Sequence, residues 1–176
     1  MTSSSRGSSL ENCCARRSTS SNGNDLVLYG GQMSRDAIED LVHRYADAVV
    51  RYDGEQWGAT WAANAEWTLA PGRELEGRDA IIDFWHQAMQ GFDAVIQTCL
   101  NGTCDLDEVA GTGTGRWHIQ ESFRRKDGTV GILLAHYDDA YVKEDGEWKF
   151  ADRKLVRHYH GAPDLSDEFL TPIVPA

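Results

Sequence analysis

Four long extended segments that follow one another without an intervening helix constrain most of what this chain can become. They lie at residues 92–100, 111–124, 129–142 and 147–159, and turn signals separate them: Asn101-Gly102, Lys126-Asp127-Gly128 and Asp145-Gly146. Turns of this kind join neighbouring antiparallel strands, so the segments are expected to form a meander. Strands of 9 to 14 residues cannot lie flat, because the right-handed twist of each strand makes a sheet this long curl. A curled sheet closed by helices leaves a conical cavity, and a ligand would sit there.

The helices come first along the chain. Ser34 reads as an N-cap, with Asp36 and Glu39 in the first turn, where the helix dipole favours acids. Ile38, Leu41, Val42, Tyr45 and Val49 recur at three- and four-residue steps as one apolar stripe, and Gly54 ends the helix just past Tyr52 and Asp53. Trp57 and Trp61 mark a short second helix. Residues 65–69 form a brief strand closed by Pro71-Gly72, and a third helix from about Asp79 buries Ala80, Ile81, Phe84, Trp85, Ala88 and Met89. Helices followed by hairpins define an α+β fold: a strongly curved antiparallel sheet with about three N-terminal helices enclosing a pocket. The run Gly111-Thr112-Gly113-Thr114-Gly115 precedes a strand rather than a helix. It therefore reads as glycines that permit a bend, not as a phosphate loop.

Residues 1–33 read as a Ser-rich disordered tail, too poor in apolar surface to offset the entropy of ordering. Within it, residues 26–29 form an apolar island that could dock on the domain or add an edge strand, and Met33 is a candidate start of the native chain. The domain is placed at 34–162 and a C-terminal extension at 163–176. The formal charge is −11, and beyond residue 33 the chain carries 14 basic and 26 acidic side chains. Such a surface repels a polyanion, so nucleic acid is excluded as a partner. No apolar run approaches the ~20 residues needed to cross a bilayer, and the N-terminus lacks the apolar centre of a secretory signal. The expectation is a cytoplasmic protein with no membrane partner. Cys13, Cys14, Cys99 and Cys104 make no zinc pattern in ordered sequence, and Cys99 and Cys104 are expected to stay reduced.

A family resemblance rests on short motifs in a fixed order. Tyr45-Ala46-Asp47, Arg51-Tyr52-Asp53 and Asn64-Ala65-Glu66-Trp67 are followed by Gly77-Arg78-Asp79-Ala80-Ile81. Near the C-terminus come Tyr137-Asp138-Asp139, the run from Asp145 to Phe150, and Arg153. Together these resemble SnoaL-like proteins over residues 34–160, which implies an NTF2-like cone. That superfamily includes ketosteroid isomerases, polyketide cyclases, dehydratases and a hexachlorocyclohexane dehydrochlorinase. It also includes non-catalytic members and the β subunits of ring-hydroxylating dioxygenases. Its catalytic members move a proton on an apolar substrate with a buried acid or base.

Laid over the dehydrochlorinase pattern, the essential Asp falls on Asp53, the pocket tryptophan on Trp67, an aromatic lining position on Tyr137 and the pocket arginine on Arg153. The proton-abstracting histidine falls on Gln97, whose amide cannot take a proton at neutral pH. The Asp that many related dehydratases carry falls on Val50. The catalytic candidates are therefore Asp53, Tyr45, Arg153 and His118. The substrate-binding candidates are Trp67, Gln97, Asn101, Tyr137 and Trp85. Asp53 reads either as a pocket carboxylate or as a helix-ending cap, and Arg153 either as a structural partner of Asp53 or of the surroundings of Asp152, or as an anion-binding group. Gln97 and Asn101 would share a face if one strand carried both. His118 alternates away from Trp117 and Ile119, so it enters the cavity and could replace the missing base if those two face outward. His158 and His160 share a face but lack a third ligand at suitable spacing, so no metal is expected.

The resemblance implies a cofactor-free lyase or isomerase acting on a small hydrophobic cyclic molecule, in a homo-oligomer (dimer or trimer). Two alternatives stand beside it: a ligand-binding or accessory protein with the same cavity, and a dioxygenase β-subunit-like partner.

Overall fold

The computed structural model describes the backbone of residues 23–170 and the side chains of residues 33–170. Of the tail assigned to residues 1–33, residues 1–22 lie outside the described residues, as does the last part of the extension, 171–176, whereas 23–33 are helical. The elements are α1 (Gly23–Arg51), α2 (Gly54–Ala59), β1 (Trp61–Ala70), β2 (Arg73–Glu76), α3 (Arg78–Met89), β3 (Phe92–Asp107), β4 (Thr112–Arg125), β5 (Val130–Glu144) and β6 (Glu147–Gly161). Six strands form one sheet in the order β2-β1-β6-β5-β4-β3. The expected α+β class and curved sheet are present, as in NTF2-like proteins. The sheet is mixed rather than wholly antiparallel, however, because β1 runs parallel to β6 and sets Trp67 beside Arg153. That pairing joins segments far apart in the chain, and no local turn signal encodes it.

α1 extends back to Gly23, so residues 26–29 are helical rather than an edge strand, and Ser34 is a buried mid-helix residue rather than a cap. The helix packs its Ile38, Leu41, Val42, Tyr45 and Val49 stripe into the core; all five are buried. It ends at Tyr52, whose φ of 58° is the left-handed turn that usually calls for glycine. The Tyr52 ring lies stacked on Trp85, with centroids 5.4 Å apart, which offsets part of that cost. Trp61 opens β1 instead of continuing α2. Trp57 and Trp61 are both fully buried; Trp57 is stacked on Trp85 at 4.9 Å, and Tyr45 packs near both Trp57 and Trp61.

Asn101-Gly102 is not a turn. β3 continues through it for 16 residues without a reversal, and the chain turns back after Asp107 instead. A bulge between Cys99 and Gly102 resets the alternation, so Val95, Gln97 and Cys99 face the helices, and Gly102, Cys104 and Leu106 take over that face beyond the bulge. Gly102 lies directly under the buried Trp117 ring, where an added Cβ would fall 2.3 Å from ring carbons. Gly102→Ala is expected to cost about 1–3 kcal/mol, the usual range for overpacking a filled core. A urea unfolding midpoint equal to that of the parent would show that the Trp117 ring moves aside freely.

Candidate functional site

Inside the cone, between α1, α3 and the concave face of the sheet, lies a cavity of about 200 Å³. α1 contributes Tyr45 and Val49, β1 contributes Trp67, and α3 contributes Phe84, Trp85 and Met89. The sheet supplies Gln97 from β3, Glu121 from β4, and Leu133 and Tyr137 from β5. Arg73 is exposed and also lines the cavity, which marks the mouth; its guanidinium sits 5.0 Å from the centre of the Phe84 ring. The walls are thus apolar and aromatic, with a few convergent polar groups. That is the ordinary make-up of a small-molecule site.

Among the described residues that line this space, Glu121 is the only carboxylate. Gln97 Nε2 donates to Glu121 Oε2 at 3.1 Å. Burial pushes the Glu121 carboxyl above its ordinary value, against the opposing influence of the Gln97 hydrogen bond and the more distant Arg125 charge. The carboxylate is therefore a stronger base than one in water. Gln97 Oε1 and Trp67 Nε1 are buried and have no hydrogen-bond partner among the described residues. One acceptor and one donor are thus left open in the lining.

The opposite end of the cavity is braced by a buried ion pair. Arg153 Nε and Nη2 donate to the two oxygens of Asp139 at 2.8 and 3.0 Å, and both side chains are almost wholly enclosed. Tyr141 donates to the same carboxylate at 3.2 Å and accepts from Trp117 Nε1 at 2.9 Å. The guanidinium lies against three rings, 3.8 Å from the centre of Phe150, 4.0 Å from Tyr137 and 4.3 Å from Tyr45. Burial works against the Arg153 charge, but the adjacent Asp139 outweighs it and holds the guanidinium more firmly protonated than usual. Tyr45 and Tyr137 are hydrogen-bond neighbours, and burial raises both phenols above their ordinary value, so both stay protonated donors.

Of the residues singled out from the sequence, Tyr45, Trp67, Trp85, Gln97 and Tyr137 come together around the cavity. Asp53 does not line it. Its Oδ1 accepts from Gln56 N at 2.9 Å as the N-cap of α2, and its other oxygen lies 3.3 Å from Arg51. It caps the start of α2 rather than the end of α1, and Arg153 pairs with Asp139 instead of Asp53. Asp53→Ala is accordingly expected to lower stability by about 1 kcal/mol, the usual cost of losing a cap. An unchanged thermal midpoint would show that the cap contributes nothing. Asn101 is exposed, because the β3 bulge turns it off the face that carries Gln97. His118 is on the convex face: Trp117 and Ile119 point inward, so His118 points away from the cavity and stacks near His136 and His158. Cys99 and Cys104 are free thiols.

Glu121 was missed. Its signal is the same alternation, since it shares the face of Trp117 and Ile119 once those two are turned inward.

Residues 33–154 match the family model described as the SnoaL-like domain. The chain belongs to the SnoaL-like family. A gamma-hexachlorocyclohexane dehydrochlorinase from Sphingobium indicum is 27% identical over 137 residues, covering 72% of this chain and 81% of that protein. Among solved structures, a candidate scytalone dehydratase from Novosphingobium aromaticivorans is 25% identical, with a TM-score of 0.72 over 85% of this chain and 99% of its own. A hexachlorocyclohexane dehydrochlorinase from Novosphingobium barchaimii has a TM-score of 0.70 at 20% identity, over 82% of this chain and 99% of its own; this last likeness speaks for the fold alone. The SnoaL-like relatives named here are thus lyase-type proteins. No helix among the described residues is long and apolar enough to cross a membrane.

Proposed function

We propose that this SnoaL-like protein is a cofactor-free lyase that eliminates a halide or water from a small, single-ring apolar substrate, with Glu121 as the proton-abstracting base. The observation that carries this reading is one carboxylate, made more basic by burial, held by Gln97 in a cavity otherwise walled by apolar and aromatic groups. Two sequence positions where relatives place a base carry Gln97 and Val50 here. Glu121, hydrogen-bonded to that same Gln97, restores the missing function from the neighbouring strand.

In the reaction, a Glu121 oxygen takes a proton from a ring carbon, and the electrons of the broken C–H bond form a C=C bond. The leaving group departs from the adjacent carbon with its electron pair. The Trp67 Nε1–H and the Tyr137 hydroxyl are the cavity donors able to meet the charge that develops on it. Arg153 works behind the wall, by fixing the phenols of Tyr45 and Tyr137. The volume restricts the substrate: about 200 Å³ is below the roughly 300–1,000 Å³ of sites that take drug-sized ligands.

The test is a panel of chlorinated and hydroxylated cyclohexanes, followed for chloride release and for loss of water by mass spectrometry. Turnover of any member that fits the cavity supports the lyase reading. Saturable quenching of tryptophan fluorescence without product, across the whole panel, would instead make the protein a binder.

A further inference from the structure

The convex face of the sheet carries a second cluster with its own chemistry. His118 on β4 and His136 on β5 are directly opposite each other in the strand register. His158 on β6 joins them because of a bulge: Leu134 pairs with Tyr159 and Ala135 with Arg157, so His158 is the extra residue. Without that bulge, the alternation that carries His160 onto the face of Phe123 would carry His158 away from His136. One ring nitrogen from each of the three histidines lies within 4.8 Å of the others, and His136 Nδ1 is 2.8 Å from His158 Nε2. The other nitrogen of His136 faces the carboxylate of Asp138 at 3.5 Å, and Asp138 is fixed in turn by Arg116 Nε at 2.6 Å.

We propose that His118, His136 and His158 form a three-histidine site for a divalent transition metal of the zinc class, with the fourth position open on the convex side of the sheet. Zinc bonded to imidazole nitrogens at 2.0–2.1 Å in a tetrahedron spaces those nitrogens about 3.3 Å apart. Small side-chain rotations bring the cluster to that spacing, because two of the three rings are only half-buried and can turn. Asp138 takes the place of the carboxylate that commonly accepts the remote N–H of a metal-bound histidine and fixes its tautomer. Three imidazole donors without thiolate favour zinc, nickel or copper over calcium or magnesium. The three ligands come from three adjacent strands, so a bound ion would tie β4, β5 and β6 together on the face opposite the cavity. The site is independent of Glu121 and of the proposed elimination.

The experiment is a Zn²⁺ titration of the full chain, free of any affinity tag and with Cys13 and Cys14 changed to serine so that their thiols cannot compete. Calorimetry should give one ion per chain, and Co²⁺ should give the visible absorption of a four-coordinate nitrogen and oxygen site. His118→Ala and His158→Ala are each expected to weaken binding by more than the ten- to hundredfold that loss of an outer carboxylate such as Asp138 typically causes. Circular dichroism of the metal-free variants establishes that they fold. Absence of saturable binding, or binding that survives both histidine substitutions, overturns the site and leaves a hydrogen-bonded imidazole stack.

Discussion

Glu121→Gln should abolish most turnover while leaving the cavity intact. The replacement has nearly the same shape, so substrate binding is preserved, but an amide cannot accept the ring proton. General-base contributions are typically 10²- to 10⁴-fold, and kcat/KM should fall by about that factor, chiefly through kcat. A loss carried by KM alone would mean that Glu121 binds rather than reacts. The same variant makes a prediction that needs no substrate. Burial raises the native carboxyl, so the folded protein holds this proton more tightly than the unfolded chain does. The stability that Glu121 contributes is then fully present below the unfolded carboxyl value of about 4.3 and is lost as pH rises through the native value. Glu121→Gln escapes that loss. Its thermal midpoint should therefore gain on the parent as pH rises from about 4 to 8. A difference that stays constant across this range would place Glu121 in a water-like environment and remove the basis for its enhanced basicity.

The largest effect on stability is expected from Arg153→Met. The guanidinium is enclosed by Phe150, Tyr137 and Tyr45 and donates twice to Asp139, whose side chain has no exposed surface. Removing one member of such a pair leaves a buried charge without compensation, which costs about 3–5 kcal/mol. At about 2–4 °C per kcal/mol for a chain of this size, the thermal midpoint should fall by about 10 °C. Adding Asp139→Asn should recover much of the loss, because the uncompensated carboxylate goes with it. If the double variant is no better than the single one, the arginine matters through its packing against the rings rather than through its charge.

Much of this architecture is legible in the residues, and the exceptions share a cause. The apolar stripe from Ile38 to Val49, the third helix and the last three strands follow from local periodicity and appear where it puts them. Ala80 and Ala88, expected to be buried on that helix, are nevertheless exposed because they lie off its Ile81-Trp85-Met89 face. What local pattern does not encode is the insertion of one residue into a strand. Gln97 and Asn101 share a face in any regular strand. The bulge after Cys99 separates them, leaving one in the cavity and the other in solvent. The bulge at His158 does the reverse and gathers three histidines that no spacing rule would join. The parallel pairing of β1 with β6 and the Arg153–Asp139 pair are likewise long-range facts. Glu121 is different. Its place in the cavity follows from alternation alone, but only after Trp117 has been assigned to the core. A tryptophan flanked by a histidine could face either way.

The bulge in β3 also bears on how these molecules behave in a crowd. β3 is the outermost strand on its side of the sheet, 16 residues long, and its outward-turned Ile96 and Leu100 are exposed. A straight edge of that length would be a template on which a second chain could add its own strand and begin a fibre. The two irregularities, one between Phe92 and Ala94 and one between Cys99 and Gly102, break the edge into short runs. Exposed Asp93, Asp105 and Asp107 place like charges along it. The interruption that fixes which side chains enter the cavity therefore also protects the protein against aggregation.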